Sequence, residues 1–74
     1  MSYEQDKKLL FDKFGENRID IIIPVENGLI ASVDGEDQPS FVCDGVIRGL
    51  NENDSKDARL LSAAFEKKKS GDFY

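Results

Sequence analysis

The fold is decided by one stretch, residues 18–33, which reads RIDIIIPVENGLIASV. Two apolar runs rich in β-branched residues flank the dipeptide Asn27-Gly28. Asn-Gly is typical of a two-residue hairpin turn, because both central residues of that turn need positive φ. The stretch therefore predicts two antiparallel strands, Arg18 to Val25 and Leu29 to Val33.

The same turn predicts the register of the hairpin. With Asn-Gly at its centre, Val25 lies opposite Ile30. Pro24 cannot donate a ladder hydrogen bond, so the end of the first strand is expected at a sheet edge or a bulge. A polar loop then leads to a third strand from Ser40 to Cys43, and Gly45 indicates a bulge or a break after it.

Two amphipathic helices are predicted to flank the strands. Apolar side chains at spacings of three and four predict a first helix over 3–14, with Ser2 as N-cap and Gly15 as its stop. The second helix is predicted over 56–69, capped by Asp54 or Ser55.

The element order is α-β-β-β-α, which predicts one small α+β domain over residues 1–74. We expect a three-stranded antiparallel meander with both helices packed on one face. Consecutive isoleucines in the first strand point to both sides of such a sheet. Ile22 or Ile23 is therefore expected to stay exposed in a lone protomer, which predicts a homodimer or another protein partner.

Composition sets limits on the class of protein. Of 74 residues, 39% are hydrophobic and the net charge is −5, with one cysteine and no histidine. Cys43 therefore has no internal disulfide partner, and the commonest zinc ligand is absent. The start of the chain is polar, and the longest apolar run, Ile21 to Val25, is too short to span a bilayer. These features predict a cytoplasmic protein that does not enter membranes.

The negative charge is concentrated in the middle of the chain. Residues 19–47 hold no base and six acids, namely Asp20, Glu26, Asp34, Glu36, Asp37 and Asp44. Unopposed acids repel nucleic-acid phosphates, so direct binding of DNA or RNA is not expected. A basic protein surface would be attracted instead, although the acids also serve solubility.

No catalytic or metal-binding pattern is present in the sequence. No histidine exists to activate Cys43 or a serine, and the neighbouring Asp44 disfavours a thiolate. The carboxylates of residues 34–37 lack the twelve-residue loop of an EF-hand. The sequence therefore predicts a non-enzymatic protein without cofactor or metal.

These observations favour a small protein–protein interaction module, a regulator or inhibitor that binds a basic or apolar partner surface through its sheet. The candidate contact residues are Ile22, Ile23, Glu26, Asp34, Glu36 and Asp37. Three alternatives stay open: an acidic mimic that blocks a nucleic-acid-binding protein, an accessory subunit of a larger enzyme, and a self-assembling structural unit.

Overall fold

The computed structural model describes residues 3–71, which form two α-helices, a short 3-10 helix and four strands. In chain order the elements are α1 (Tyr3–Phe14), the 3-10 helix (Glu16–Arg18), β1 (Ile19–Val25), β2 (Gly28–Val33), β3 (Ser40–Cys43), β4 (Val46–Gly49) and α2 (Ser55–Lys69). The predicted α+β class is confirmed.

The sheet is an antiparallel meander in the order β1-β2-β3-β4. The prediction of three strands is wrong, because Asp44-Gly45 forms a turn rather than a break. Asp44 has φ 51° and Gly45 has φ 79°. Positive φ at both central residues is the signature of a type I′ hairpin. It places Val46 opposite Cys43 and so creates β4.

The register of the first hairpin also differs from the prediction. Val25 pairs with Gly28, so the residues at the centre of the turn are Glu26 and Asn27. Gly28 instead belongs to β2, where a Cβ atom would collide with the main-chain carbonyl of Val42 in β3. The glycine is needed for the close approach of two strands. Because the shift is two residues, it does not move any side chain to the other face of the sheet.

The two helices cover opposite faces of the sheet. One core layer joins α1 to the sheet and contains Leu10, Ile22, Leu29, Ala31 and Val42. The other joins α2 to the sheet and contains Ile23, Ile30, Phe41, Leu50 and Ala64. Ile22 and Ile23 are neighbours in β1 and must point to opposite faces. The prediction that both helices pack on one face is therefore wrong.

Both sheet faces are thus covered within one protomer. Ile22 is 2% exposed and Ile23 is 6% exposed. The prediction that one of them stays exposed is wrong, and the homodimer predicted from a bare sheet face has no support in this packing. The run of isoleucines reflects a strand buried on both sides, as is usual beneath two helical layers.

The helix ends follow local sequence. Helix α1 spans the predicted residues and gives way to Gly15 at φ 92°; Ser2 lies outside the described residues. Asp54, and not Ser55, caps α2, because its side chain accepts hydrogen bonds from the backbone N–H groups of Lys56 and Asp57 at 2.8 and 3.4 Å. Within residues 3–71, neither helix is both long and apolar enough to cross a membrane.

Candidate functional site

A groove of about 880 Å³ lies at the end of the sheet where the β1–β2 and β3–β4 turns meet. It is lined by these turns, by the first turn of α1 and by the first two turns of α2. We call it the hairpin-end groove. With both sheet faces covered, this concave surface with an apolar and polar lining is the default candidate for a binding site.

Apolar side chains contribute much of the groove lining. They come from three elements and comprise Pro24 and Val25 at the end of β1, Phe41 in β3 and Leu60 in α2. Strand β1 is an edge strand, as Pro24 predicted. Phe41 belongs to the core layer under α2 and is nearly buried there. The lining therefore offers an apolar surface to a ligand.

Two cations form the α2 wall of the groove. Lys56 and Arg59 are three residues apart, so their side chains lie on the same side of the helix. Both residues are exposed, and neither takes part in an ion pair within residues 3–71. Their charges are therefore available to an anionic group that enters the groove.

A third cation in the lining, Arg48, is already paired. Its two terminal nitrogens donate to the two carboxylate oxygens of Asp57 at 3.1 and 2.8 Å, and Asp57 also accepts from the backbone N–H of Asn51 at 2.9 Å. Asp57 is only 5% exposed. The guanidinium also lies 5.4 Å from the centre of the Phe41 ring. These contacts fasten the first turn of α2 to β4 and so position the cationic wall.

The pair makes stability depend on pH. The hydrogen bonds from Arg48, then that from Asn51, lower the pKa of Asp57 below its ordinary value of 3.8. A carboxyl whose pKa falls on folding stabilises the fold above its unfolded pKa and loses that contribution as pH falls through the folded pKa. Wild type should therefore exceed Asp57→Asn in urea midpoint at pH 7, and the difference should shrink as pH drops below 3.8.

The matched control is Asp37→Asn, which removes a carboxylate from an exposed loop position that makes no ion pair within the described part of the chain. It should change the urea midpoint little at pH 7. A midpoint difference between wild type and Asp57→Asn that is equally large at pH 7 and at pH 3 would contradict the role of the pair.

Three carboxylates also line the groove. Asp6 of α1, Glu26 of the first turn and Asp44 of the second turn all line it. Cys43 lies beside them, and its thiol is 3.8 Å from the carboxylate of Asp44. Burial, followed by the charges of Asp44 and Asp6, raises the pKa of this thiol. The thiolate is disfavoured, so Cys43 is a poor nucleophile.

The predicted contact residues are dispersed in the structure. Ile22 and Ile23 are buried in opposite core layers and cannot touch a partner in this fold. Glu26 is exposed and lines the hairpin-end groove, whereas Glu36 and Asp37 line a separate depression. Asp34 is exposed in the same loop as these two. Only Glu26 therefore belongs to the groove.

A basic side chain also lies against the acidic loop after β2, although the acidic segment itself contains no base. Arg18 donates to the main-chain carbonyl of Asp34 at 3.1 and 2.8 Å and lies 3.9 Å from the carboxylate of Glu36. The backbone N–H of Asp34 returns a hydrogen bond of 2.7 Å to the carbonyl of Arg18. A base from outside the acidic segment thus neutralises part of it and fixes the loop.

Sequence reasoning missed most of the groove lining, although one signal for its cationic wall was available. Helix α2 carries five bases and two acids, a net +3, which leaves the rest of the chain at −8 for a total of −5. That segregation marks α2 as the cationic side of an acidic protein. Asp6 gave no comparable signal, because an acid in the first turn of a helix is ordinary.

No protein-family model, curated protein sequence or solved structure matches this chain. Within residues 3–71, no cluster of three or more histidine, cysteine, aspartate or glutamate side chains is placed to hold a metal ion. What the groove binds must therefore follow from its own shape and charges.

Proposed function

We propose that this chain is a small, non-enzymatic protein-binding domain whose binding surface is the hairpin-end groove. The observation that carries the proposal is the pairing of an apolar lining with cations on one wall that no described acid neutralises. Carboxylates in the same lining give the groove both signs of charge. A segment of a partner protein with an acidic side chain, an apolar side chain and a basic side chain matches this lining.

The proposal retains the predicted protein-binding function and assigns it to the hairpin-end groove instead of the sheet. A partner cannot reach the sheet faces, since α1 and α2 occupy them. Glu26 keeps the part predicted for acidic rim residues, which is to orient the partner and speed its association. The partner chemistry also changes, because Lys56 and Arg59 attract an acidic group rather than a basic one.

The chemistry of the groove supports a role without catalysis. The sequence has no histidine to act as a general base. The thiol of Cys43, beside two carboxylates, has a raised pKa and is held in its unreactive form. The groove therefore offers charges and apolar contacts, with no activated nucleophile among the described residues.

A nucleic-acid mimic is less well supported. Such a mimic needs acids displayed together as phosphate substitutes, whereas Arg18 holds the loop after β2 through the main-chain carbonyl of Asp34 and pairs with the carboxylate of Glu36. Competition between DNA and this chain for one captured partner would favour the mimic. The identity of the captured protein would show whether this chain regulates it, inhibits it or serves as its accessory subunit.

The test is capture by variants of matched charge. The double variant Lys56→Glu with Arg59→Glu reverses the cationic wall, and a glutamate at position 56 near the N-terminus of α2 suits the helix dipole. The control, Lys8→Glu with Lys13→Glu, makes the same charge change at exposed positions on α1. We expect a protein captured from the native host by wild type and control to bind the groove variant about tenfold or more weakly.

Equal loss in both double variants would show that only overall charge matters. Full retention by the groove variant would contradict the site. Recovery of nothing but further copies of this chain would favour a self-assembling unit instead.

A further inference from the structure

One carboxylate that lines the groove is almost fully buried, which is unusual for an acidic side chain. Asp6 is 3% exposed, although aspartate is almost never fully buried unless it is paired. Its Oδ1 atom accepts no hydrogen bond from any residue that the structure describes. A buried polar atom without a partner costs folding free energy. The folding of the free chain does not explain why this cost is tolerated.

Asp6 shares the groove lining with two other carboxylates. Asp6 reaches the groove from α1, and Asp44 and Glu26 line it from the two turns. Asp44 lies 3.8 Å from the thiol of Cys43, and the charges of both Asp44 and Asp6 raise the pKa of that thiol. The cations that line the groove belong to β4 and α2, and the one in β4, Arg48, is paired with Asp57.

We propose that Asp6 is the receptor for one basic side chain, a lysine or an arginine, of the partner segment that fills the hairpin-end groove. This inference rests on the proposed function. The ammonium or guanidinium would donate a charge-assisted hydrogen bond to the carboxylate, which must turn its buried Oδ1 toward the groove to accept it. The aliphatic stem of the basic residue would lie along Pro24 and Val25, as such stems do on apolar surface.

A purely structural role for Asp6 gives the opposite expectation for stability. An acid in the first turn of α1 interacts favourably with the helix dipole, so its removal would lower the urea midpoint. If Asp6 is retained for binding, Asp6→Asn relieves an unpaired buried charge and should leave the midpoint of the free chain unchanged or raise it. Binding and stability therefore separate the two explanations.

The experiment titrates the full chain with Nα-acetyl-lysine N-methylamide and follows the backbone amide resonances of Gly28 and Cys43. The norleucine analogue is the uncharged probe. Asp12→Asn is the control variant, since Asp12 is an exposed carboxylate on the same helix. We expect saturable shifts with the lysine probe in wild type and in Asp12→Asn, at least tenfold weaker binding in Asp6→Asn, and no comparable shift with the norleucine probe.

Equal affinity of wild type and Asp6→Asn for the lysine probe, equal binding of the norleucine probe, or no shift in wild type would overturn the inference. So would a urea midpoint of Asp6→Asn below that of wild type. If Asp6→Asn binds the probe normally while the variant at Lys56 and Arg59 loses its captured protein, Asp6 is not the receptor and the protein-binding function stands. If no captured protein depends on Lys56 and Arg59 while the probe depends on Asp6, the cation receptor stands without that function.

Discussion

The Leu10→Ala variant is expected to lose about 2–5 kcal/mol of unfolding free energy, a large part of the stability of a domain this small. Leu10 is 0% exposed and forms the contact of α1 with Ile22, Leu29, Ala31 and Val42. Truncation removes buried methyl groups and leaves a cavity, because the sheet beneath cannot collapse into the space. Urea unfolding followed by far-UV circular dichroism measures the loss.

Leu9→Ala is the matched control for that prediction. Leu9 precedes Leu10 in the same helix and is only partly buried at the margin of the same layer, so it should cost clearly less. Equal losses at the two positions would mean that α1 does not seal this face of the sheet, and the isoleucine of β1 beneath it would again be available to a partner.

The Gly28→Ala variant is expected to lose about 1–3 kcal/mol, the usual cost of forcing an extra methyl group into a filled space. The added Cβ would meet the main-chain carbonyl of Val42, which cannot turn aside as a side chain can. Strands β2 and β3 would have to separate near the groove. The same urea experiment measures this loss, and amide chemical shifts at Leu29 and Val42 report the separation.

Gly49→Ala is the control within the same sheet. Its Cβ would lie 2.8 Å from the end of the flexible Gln38 side chain, which can move away. A small loss is expected there. If Gly28→Ala is as well tolerated as Gly49→Ala, the close approach of β2 and β3 is not what requires glycine, and the register of the first hairpin needs another explanation.

Local features of the sequence were predictive wherever local chemistry decides the outcome. Periodicity located α1 at its observed bounds and α2 within one residue of its start, and Pro24 correctly indicated an edge strand. Capping preferences left two candidates for the N-cap of α2, and Asp54 is the one that caps the helix. These signals need no knowledge of distant contacts.

The failures came from tertiary contacts that the sequence does not display. An apolar stripe shows that a helix packs against the sheet, and it does not show on which face. Glycine is required at position 28 by the close approach of Val42, fourteen positions away in β3. The turn rule instead attributed this glycine to the centre of the hairpin turn. The Asp-Gly dipeptide at residues 44–45 is itself a hairpin-turn signal. It was not interpreted as one because the strand that follows, Val46–Gly49, is only four residues long.

The groove could not be predicted for the same reason. Its lining comes from α1, the two hairpin turns, all four strands and α2, which meet only after folding. Charge segregation along the chain indicates that α2 is cationic, and only the fold places Lys56 and Arg59 in one groove with carboxylates on the turns. Surfaces that remain outside the groove include the side chain of Phe65, which is 63% exposed on α2.

The most direct measurement maps the surface of this chain that a captured partner contacts, by backbone amide NMR of the labelled domain with and without that partner. The groove predicts shifts concentrated in residues 24–28, 41–44 and 56–60. Shifts centred on the loop at residues 34–37 or around Phe65, with the groove residues unchanged, would contradict it.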